Sequence, residues 1–304
     1  MEDQLDDRRP FTRADAVRAG VDPRILRTSR YRRIFRGVWV RRDAWTDDTP
    51  IDAALALHHP DGVASHFSAA RLFRLPLPEH PFEHVTVFEP DDRRYRREVK
   101  SHVTQQPLPV VTWHGRRVTH PFRTFVDLAG WISLVDLVVL GDAMLRVLKL
   151  RADDLVAFCR SSTDYYAGLA RDAASYVREG VDSPMETRLR MLIVLAGLPE
   201  PKVNHLLLDE QGRVRRRLDL SYPGIKLIIE YDGRQHVERI QQWTSDLDRR
   251  EEFDDGEWKI LVVTAVGIYR EPSRTLERIR RNLILRGFGP VPRVDPAWRA
   301  HFSA

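Results

Sequence analysis

Cysteine is nearly absent from this chain of 304 residues, which contains only Cys159. A single cysteine excludes a disulfide within the chain and any zinc site built from several thiolates. Long apolar runs are also missing, since the most apolar stretch, WISLVDLVVLGDAMLRVL, contains two Asp and one Arg. The start of the chain, MEDQLDDRRP, is polar and acidic, unlike a signal peptide. We therefore expect a cytoplasmic protein with no membrane span.

Lysine is scarce as well, because only five of the 49 basic residues are Lys and the others are Arg. The formal net charge of +5 and the isoelectric point near 9.5 thus rest on guanidinium groups, which suit bidentate contacts to phosphate. A composition of 42% hydrophobic and 31% charged residues is typical of a globular protein. The length suits about two domains.

Acidic residues are missing from one stretch near the start of the chain. Between Arg24 and Arg42 the sequence has eight Arg and no acid. Such a concentration favours contacts to a phosphate backbone, because each contact releases condensed counterions. The alternative is a solvated basic face. The candidate nucleic-acid ligands are Arg24, Arg27, Arg30, Arg32, Arg33 and Arg36.

The elements around these arginines follow a winged-helix pattern. Thr12 can cap a short helix that runs to Gly20, and Asp22 before Pro23 can cap a second one. The segment RYRRIFRGVWVRR then reads as a strand and a hairpin. Together these elements predict a winged helix over residues 8–48.

The next segment mixes helical and strand patterns. IDAALALHH, SAARLFRL and FRTFVDLAGW favour helices, whereas HVTVFEP, EVKSHVT and PVVTW favour strands. With the N-terminal segment, the motifs GVWV, SHFSAARLFRL and VTHPFRTFVDLA resemble the antitoxin of the abortive-infection AbiE type over residues 8 to 150. The resemblance implies an α+β domain over 49–132 and leaves a toxin partner or a homodimer open. We interpret His66 and His120 here as structural residues.

After a helical connector over residues 133–180, REGVDSP marks the start of a last domain over 181–290. Ser183, Pro184 and Glu186 form a capping box at the start of a helix. The segments VRRRLDLSY and IKLIIEYD alternate apolar and polar residues, as paired strands do, around Pro223-Gly224.

We first assume a two-residue loop at Pro223-Gly224, so that Tyr222 pairs with Ile225. Asp219 then faces Ile228, with Lys226 and Glu230 as its diagonal neighbours about 7 Å away. Two carboxylates this close repel each other unless one is protonated or a cation lies between them. An oxygen-rich site of this kind suits Mg²⁺ or Mn²⁺ and phosphate substrates.

Three segments in order, SPMETRLR, RRLDLSYPGIKLIIEYDGRQH and DLDRREEFDDGEWKILVVT, resemble the PD-(D/E)XK nuclease fold. They are most similar to an actinobacterial branch related to the very-short-patch-repair (Vsr-like) endonucleases. The resemblance implies an α/β domain with a mixed sheet and a Mg²⁺-dependent endonuclease. It makes Asp219 and Glu230 metal ligands, Tyr231 a carbonyl ligand and Glu186 the acid of the first helix.

The sequence departs from this motif at Asp232, which stands where the motif has Lys. Relatives of the repair type use His for proton transfer, and His236 takes that place here; Lys226 is the alternative. Each residue also has a plainer explanation. Glu186 completes a capping box, and Asp219 and Glu230 could pair with neighbouring arginines such as Arg217. Asp232-Gly233 could be ordinary turn residues.

Two main hypotheses follow from the sequence. The first is a DNA-binding protein whose C-terminal domain hydrolyses phosphodiester bonds with Mg²⁺. The second is an antitoxin-like transcriptional regulator whose nuclease fold is inactive and only binds, and the missing motif Lys keeps it open. A third hypothesis is a basic surface that binds an acidic protein.

Overall fold

The computed structural model describes residues 5–58, 60–208, 211–233 and 258–302. Contacts divide the chain into two units. The first contains residues 1–132 and 158–170, and the second contains 133–157 and 171–304. Both mix helices with strands, which confirms the coarse α and β composition expected of each half. Within the described residues, no helix is both long and apolar enough to cross a membrane.

The first unit begins with a three-stranded antiparallel sheet. Its elements are β1 (Phe11–Thr12), α1 (Arg13–Arg18), β2 (Tyr31–Phe35) and β3 (Val38–Arg41), and the strand order is β1-β3-β2. Thr12 caps α1 as predicted, because its hydroxyl accepts the backbone N–H of Asp15 and the Asp15 carboxylate accepts the N–H of Thr12. Buried Phe11, Ala16, Leu26 and Tyr31 form the core beneath.

The prediction of a second helix after Asp22 is wrong about its length and type. Only a single 3₁₀ turn, Ile25–Arg27, is present. The Asp22 carboxylate does accept the backbone N–H of Arg24, at 2.8 Å, so the start signal is used locally. The helix does not extend because Thr28 returns to an extended conformation shortly before β2 starts.

A five-stranded mixed sheet follows in the first unit, with the order β6-β5-β4-β8-β7. Its central strand pair β4–β5 is antiparallel, whereas β5–β6 and β4–β8 are parallel. The predicted strands in HVTVFEP, EVKSHVT and PVVTW correspond to β5, β6 and β7. The bounds are β4 Val63–Ala64, β5 Glu83–Val87, β6 Val99–Val103, β7 Val110–Trp113 and β8 Arg116–Thr119.

Three helices belong to this part of the first unit: α2 (Thr49–Leu57), α3 (His66–Leu72) and α4 (Pro121–Leu128). The apolar spacing of the sequence predicts all three. The cap of α4 is His120, whose side chain accepts the N–H of Phe122. His120 therefore has a structural role, as predicted.

The second unit contains a four-stranded mixed sheet of order β12-β11-β10-β9. β11 and β12 are parallel, and the other neighbours are antiparallel. The bounds are β9 Lys202–Leu208, β10 Val214–Tyr222, β11 Leu227–Asp232 and β12 Lys259–Thr264. Trp258 lies just before β12 and packs against a buried cluster that contains Leu218 and Ile228.

Six helices lie in the described residues of this part of the chain, α5 to α10. Their bounds are α5 Leu134–Leu148, α6 Ala152–Ser161, α7 Ala167–Tyr176, α8 Pro184–Leu195, α9 Ala265–Tyr269 and α10 Pro272–Leu285. The end of α6 and the start of α7 group with the first unit. Helix α8 starts at Pro184 with Ser183 as its cap, as the capping box predicts, and packs against β10 and β11.

A buried ion pair joins α5 to α8 in the second unit. Arg190 is 0% exposed and donates to the Asp142 carboxylate at 2.8 Å and to Glu200 at 3.1 Å. Asp142 also accepts the Thr187 hydroxyl and the backbone N–H of Arg178. Burial raises the pKa of Asp142, and the neighbouring guanidinium of Arg190 opposes the rise. These contacts make 133–157 part of the core that supports α8.

We expect Asp142→Ala to lower the free energy of unfolding by about 3–5 kcal/mol, because it leaves the fully buried Arg190 guanidinium with only the partly exposed Glu200 as its counter-charge. Asp153→Ala, at an acid whose side chain is 91% exposed, serves as the control and should change stability by less than about 0.5 kcal/mol. Urea melts measure both. A double variant, Asp142→Leu with Arg190→Met, should recover much of the stability, whereas equal stability of Asp142→Ala and the parent would contradict the assignment.

Candidate functional site

The arginine-rich segment lies on the β2–β3 hairpin and the turn before it. Seven of its eight arginines face solvent, and only Arg41 is half-buried. Some already have partners. Arg30 pairs with Asp7 at 3.0 Å, Arg41 pairs with Asp43 at 2.6 Å, and Arg32 stacks on the Trp45 ring at 3.6 Å.

The remaining predicted phosphate ligands are free to bind. Within the described ranges, the guanidinium groups of Arg24, Arg27, Arg33 and Arg36 have no hydrogen-bond or ion-pair partner, and all four are exposed. Binding a phosphate would therefore break no contact among the described residues. The structure brings these four charges to one small three-stranded sheet and the turn that leads into it.

The predicted acids lie on the two central strands of the second unit. Asp219 is on β10, Glu230 and Tyr231 are on β11, and Asp232 is the last residue of β11. Asp219, Glu230 and Tyr231 are half-buried, and Asp232 is exposed. Burial raises the pKa of Tyr231. His236 lies outside the described residues.

The assumed two-residue loop is wrong. Four residues separate β10 from β11: a 3₁₀ turn, Pro223–Ile225, and Lys226 in the left-handed conformation with φ 51°. Tyr222 pairs with Leu227, and Ser221, rather than Asp219, faces Ile228. The observed pairs end at Leu220 and Ile229, and the same register continued by one residue would set Asp219 opposite Glu230. Residues directly opposite have Cβ atoms about 5 Å apart, closer than the diagonal expected from the sequence.

The corrected loop separates Lys226 from the acids. Lys226 is exposed in the loop, where its backbone N–H donates to the Pro223 carbonyl and its carbonyl accepts the N–H of Lys259. Four residues of extended chain, about 13 Å, separate it from Glu230. The structure therefore does not bring the Lys226 backbone to the carboxylates.

Glu186 is buried in the first turn of α8, where only one half of the predicted capping box forms, because its carboxylate bonds to the residue before the cap. Its backbone N–H donates to the Ser183 hydroxyl and its carboxylate accepts the N–H of Asp182, each at 3.2 Å. Burial raises the pKa of the Glu186 carboxyl, and a hydrogen bond between the Ser183 side chain and this carboxyl opposes the rise. Arg217, which could have paired with the strand acids, forms an ion pair with Asp182.

A cluster of histidines in the first unit was not expected from the sequence. It contains His66 at the start of α3, His84 on β5 and His102 on β6, and one ring nitrogen of each lies within 4.8 Å of those of the other two. The Nδ1 atom of His84 lies 2.9 Å from Nε2 of His102, and its Nε2 atom lies 3.2 Å from Nδ1 of His80. The rings of His66 and His102 stack with centroids 3.9 Å apart.

Burial keeps these imidazoles neutral. It is the main reason that the pKa of His84 falls to about 2 and that of His102 to about 4, and it lowers the pKa of His66 as well. The Asp127 carboxylate, 4.0 Å from Nδ1 of His66, is buried too, and its pKa rises to about 6 although Arg123 opposes the rise. The cluster offers lone pairs rather than charge.

The sequence held only a weak signal for this cluster. His84 and His102 lie in separate strands, and the parallel pairing of β5 with β6, which sets His84 beside Lys100 and Thr86 beside His102, brings them together. By sequence, His66 is a structural residue of an apolar helix. Its positive φ of 49° is costly for a residue other than glycine, by about 1–3 kcal/mol.

No protein-family model matches this chain. Two uncharacterized proteins of Mycobacterium tuberculosis, MT2308 of strain CDC 1551 / Oshkosh and Rv2248 of strain ATCC 25618 / H37Rv, are each 26% identical to it over 172 residues. The matched segment is 56% of this chain and 62% of each relative, so less than two thirds of either relative's length is covered. The chain is similar to these proteins, neither of which has an assigned activity.

The capping role of Glu186 predicts how substitutions there affect stability. Glu186→Ala should lower the free energy of unfolding by about 1 kcal/mol, since it leaves the N–H of Asp182 without its acceptor. Glu186→Gln keeps a side-chain oxygen for this bond and should stay within about 0.5 kcal/mol of the parent. Thermal melts of the three proteins measure the difference. If the Ala variant were as stable as the parent, the cap would contribute nothing.

Proposed function

We propose that this is a DNA-directed protein whose first unit binds duplex DNA and whose second unit is a Mg²⁺-dependent endonuclease domain. The observation that carries the proposal is the set of exposed arginines at Arg24, Arg27, Arg33 and Arg36, which have no partner among the described residues and lie in an acid-free segment. Guanidinium groups of this kind gain the full benefit of counterion release when they contact phosphates. The winged-helix interpretation of residues 8–48 rests on the sequence pattern and on the helix, turn and hairpin order.

The nuclease interpretation rests on the resemblance of residues 181–290 to the PD-(D/E)XK fold. The helix α8, the β10–β11 hairpin and the parallel strand β12 occur in the order that the resemblance implies. Asp219 and Glu230 fall at facing positions of neighbouring central strands once the register is continued. Half-buried carboxylates at this spacing fit a small hard cation, which takes oxygen ligands and retains several waters.

The proposed site assigns a role to each residue. Asp219 and Glu230 would hold Mg²⁺ or Mn²⁺, with the carbonyl of Tyr231 as a third ligand. The cation supplies charge stabilisation at a phosphoryl oxygen and activates water. His236 would move the proton, and we favour it over Lys226, because the loop places Lys226 far along β11 from Glu230.

Two observations favour the regulator as the second candidate. Glu186, the first-helix acid of the motif, is engaged by a helix cap, and an acid, Asp232, stands at the position of the motif Lys. A protein of this kind would bind DNA through the same hairpin without cutting it. A toxin partner and a homodimer remain open for this candidate.

Removing three of the exposed charges should weaken DNA binding. We expect the full chain with Arg27, Arg33 and Arg36 changed to Ala to bind duplex DNA more weakly. The slope of log K against log salt should fall by about 0.9 for each phosphate that the variant no longer neutralises. The control changes Arg97, Arg160 and Arg281 to Ala, which removes the same charge from exposed positions elsewhere. Fluorescence anisotropy at several salt concentrations measures both, and equal affinity of the two triple variants would remove the hairpin from the interface.

Metal binding at the strand acids should appear as stabilisation. Mg²⁺ or Mn²⁺ at 100 times its Kd should raise the free energy of unfolding by about 2.7 kcal/mol, since the unfolded chain has no such site. Asp219→Asn should abolish this gain, whereas Asp172→Asn, at an exposed acid on α7, should keep it. Thermal melts with EDTA as the reference measure the gain. If neither metal changed the melting temperature of the parent protein, the nuclease proposal would be contradicted and the regulator would be the remaining candidate.

A further inference from the structure

We propose that His66, His84 and His102 form a binding site for a divalent transition-metal ion of the zinc type in the first unit. The site is separate from the carboxylates of the proposed nuclease and uses different donor atoms, so neither proposal depends on the other. Three imidazoles with no thiolate suit Zn²⁺, Co²⁺, Ni²⁺ or Cu²⁺, whereas Mg²⁺ prefers oxygen ligands.

The spacing of the ring nitrogens is close to that of a metal site, but His66 has to leave its stack on His102 before both lone pairs can point at one ion. Two ligands about 2.05 Å from one tetrahedral zinc ion lie about 3.3 Å apart. The His84 and His102 nitrogens are 2.9 Å apart, close to that spacing, and all three donor atoms lie within 4.8 Å of one another. The proposal requires His66 to rotate out of this stack when the ion binds.

Hydrogen bonding alone does not explain the third histidine. A neutral imidazole has one N–H and one lone pair, so His84 is satisfied by His102 on one side and His80 on the other. His66 takes no part in this row of hydrogen bonds. Among the described residues, its close polar neighbours are the Ser65 hydroxyl at 3.0 Å and the Asp127 carboxylate at 4.0 Å, both at Nδ1. Its Nε2 atom is therefore the one left for a ligand.

The surroundings of His66 are those of a metal ligand. In a ligating histidine the second ring nitrogen typically has a hydrogen-bond partner that fixes the ring, and the Ser65 hydroxyl, 3.0 Å from Nδ1, can take that place; the Asp127 carboxylate lies beyond hydrogen-bond distance, at 4.0 Å. The positive φ of His66 shows that the backbone is held in a costly conformation at this residue. Space filling in an apolar core does not require that conformation.

The same residues do not form a catalytic triad. A Ser–His–Asp relay needs the serine at one ring nitrogen and the acid at the other. Here Ser65 and Asp127 both lie at Nδ1 of His66, and the Ser65 oxygen already accepts the Thr86 hydroxyl at 2.8 Å. The geometry therefore excludes hydrolysis through Ser65 and favours metal binding by the cluster.

The Trp131 ring covers the cluster. It lies edge-to-face with His66, His84 and His102, with ring centroids 5.8, 5.1 and 6.0 Å away respectively. His84 is fully buried, whereas His102 is only partly buried, so the ion would enter from the side of His102. A fourth position on the ion would be taken by water.

The test uses the full chain without a histidine tag, stripped with a chelator and dialysed. Zn²⁺ is added in competition with a chromophoric chelator, and the bound metal is counted by elemental analysis. We expect one Zn²⁺ per chain, and a Co²⁺ form whose visible absorption has the intensity of tetrahedral coordination. Mg²⁺ in large excess should not displace the zinc.

The variants locate the site. His102→Gln should weaken zinc binding by at least about tenfold, as should His84→Gln. His120→Gln, at a half-buried histidine of the same unit outside the cluster, should leave binding unchanged, and Asp172→Asn, at an exposed acid on α7, should also retain the zinc. Circular dichroism of the metal-free variants checks folding.

His84 is fully buried, so His84→Gln is the variant at greater risk of not folding. In that case His102→Gln, at a partly exposed residue, decides the test. The absence of stoichiometric zinc from the parent protein would overturn the proposal. Unchanged zinc affinity in a folded His102→Gln variant would overturn it as well.

Discussion

The burial of Arg190 is the constraint on which the second unit depends. A fully buried guanidinium must be neutralised, and Asp142 on α5 and Glu200 before β9 do this together. Helix α8, which carries Arg190, packs on β10 and β11 and thereby supports the strands that hold Asp219 and Glu230. The geometry of the proposed metal site therefore depends on a charge pair of the helix that supports it.

The two proposed metal sites differ in the charge of their ligands. At the histidine cluster, burial removes charge and leaves neutral donor atoms, which suit a soft or borderline metal. At the strand acids, the continued register would set two half-buried carboxylates opposite each other, and a hard divalent cation would suit such a pair. The exposed arginines of the β2–β3 hairpin and the turn before it need no counter-ion within the protein, because their charges face solvent and are available for a polyanion.

Local signals in the sequence predicted much of the second unit. Ser183 and Pro184 start α8 where the capping box indicates, and β10 covers the predicted segment residue for residue. The expected two-residue loop is wrong, and the residue responsible is present in the sequence. Two-residue hairpin loops need a positive φ at the first central residue, and the ring of Pro223 forbids it. The chain inserts a 3₁₀ turn instead, and Lys226 takes the left-handed position.

The histidine cluster could not be predicted in the same way. It depends on the parallel pairing of β5 with β6, which no local pattern specifies.

DNA cleavage by the purified chain is the most direct test of the proposed nuclease, with supercoiled plasmid and single-stranded DNA in Mg²⁺, Mn²⁺ or EDTA. If Asp219 and Glu230 hold the metal, the chain should cleave DNA with either metal and not with EDTA. Asp219→Asn should lose cleavage but not DNA binding, and His236→Ala should cleave about 10²–10⁴ times more slowly. DNA that is bound but stays intact with both metals, or cleavage that persists in Asp219→Asn, would contradict the nuclease proposal.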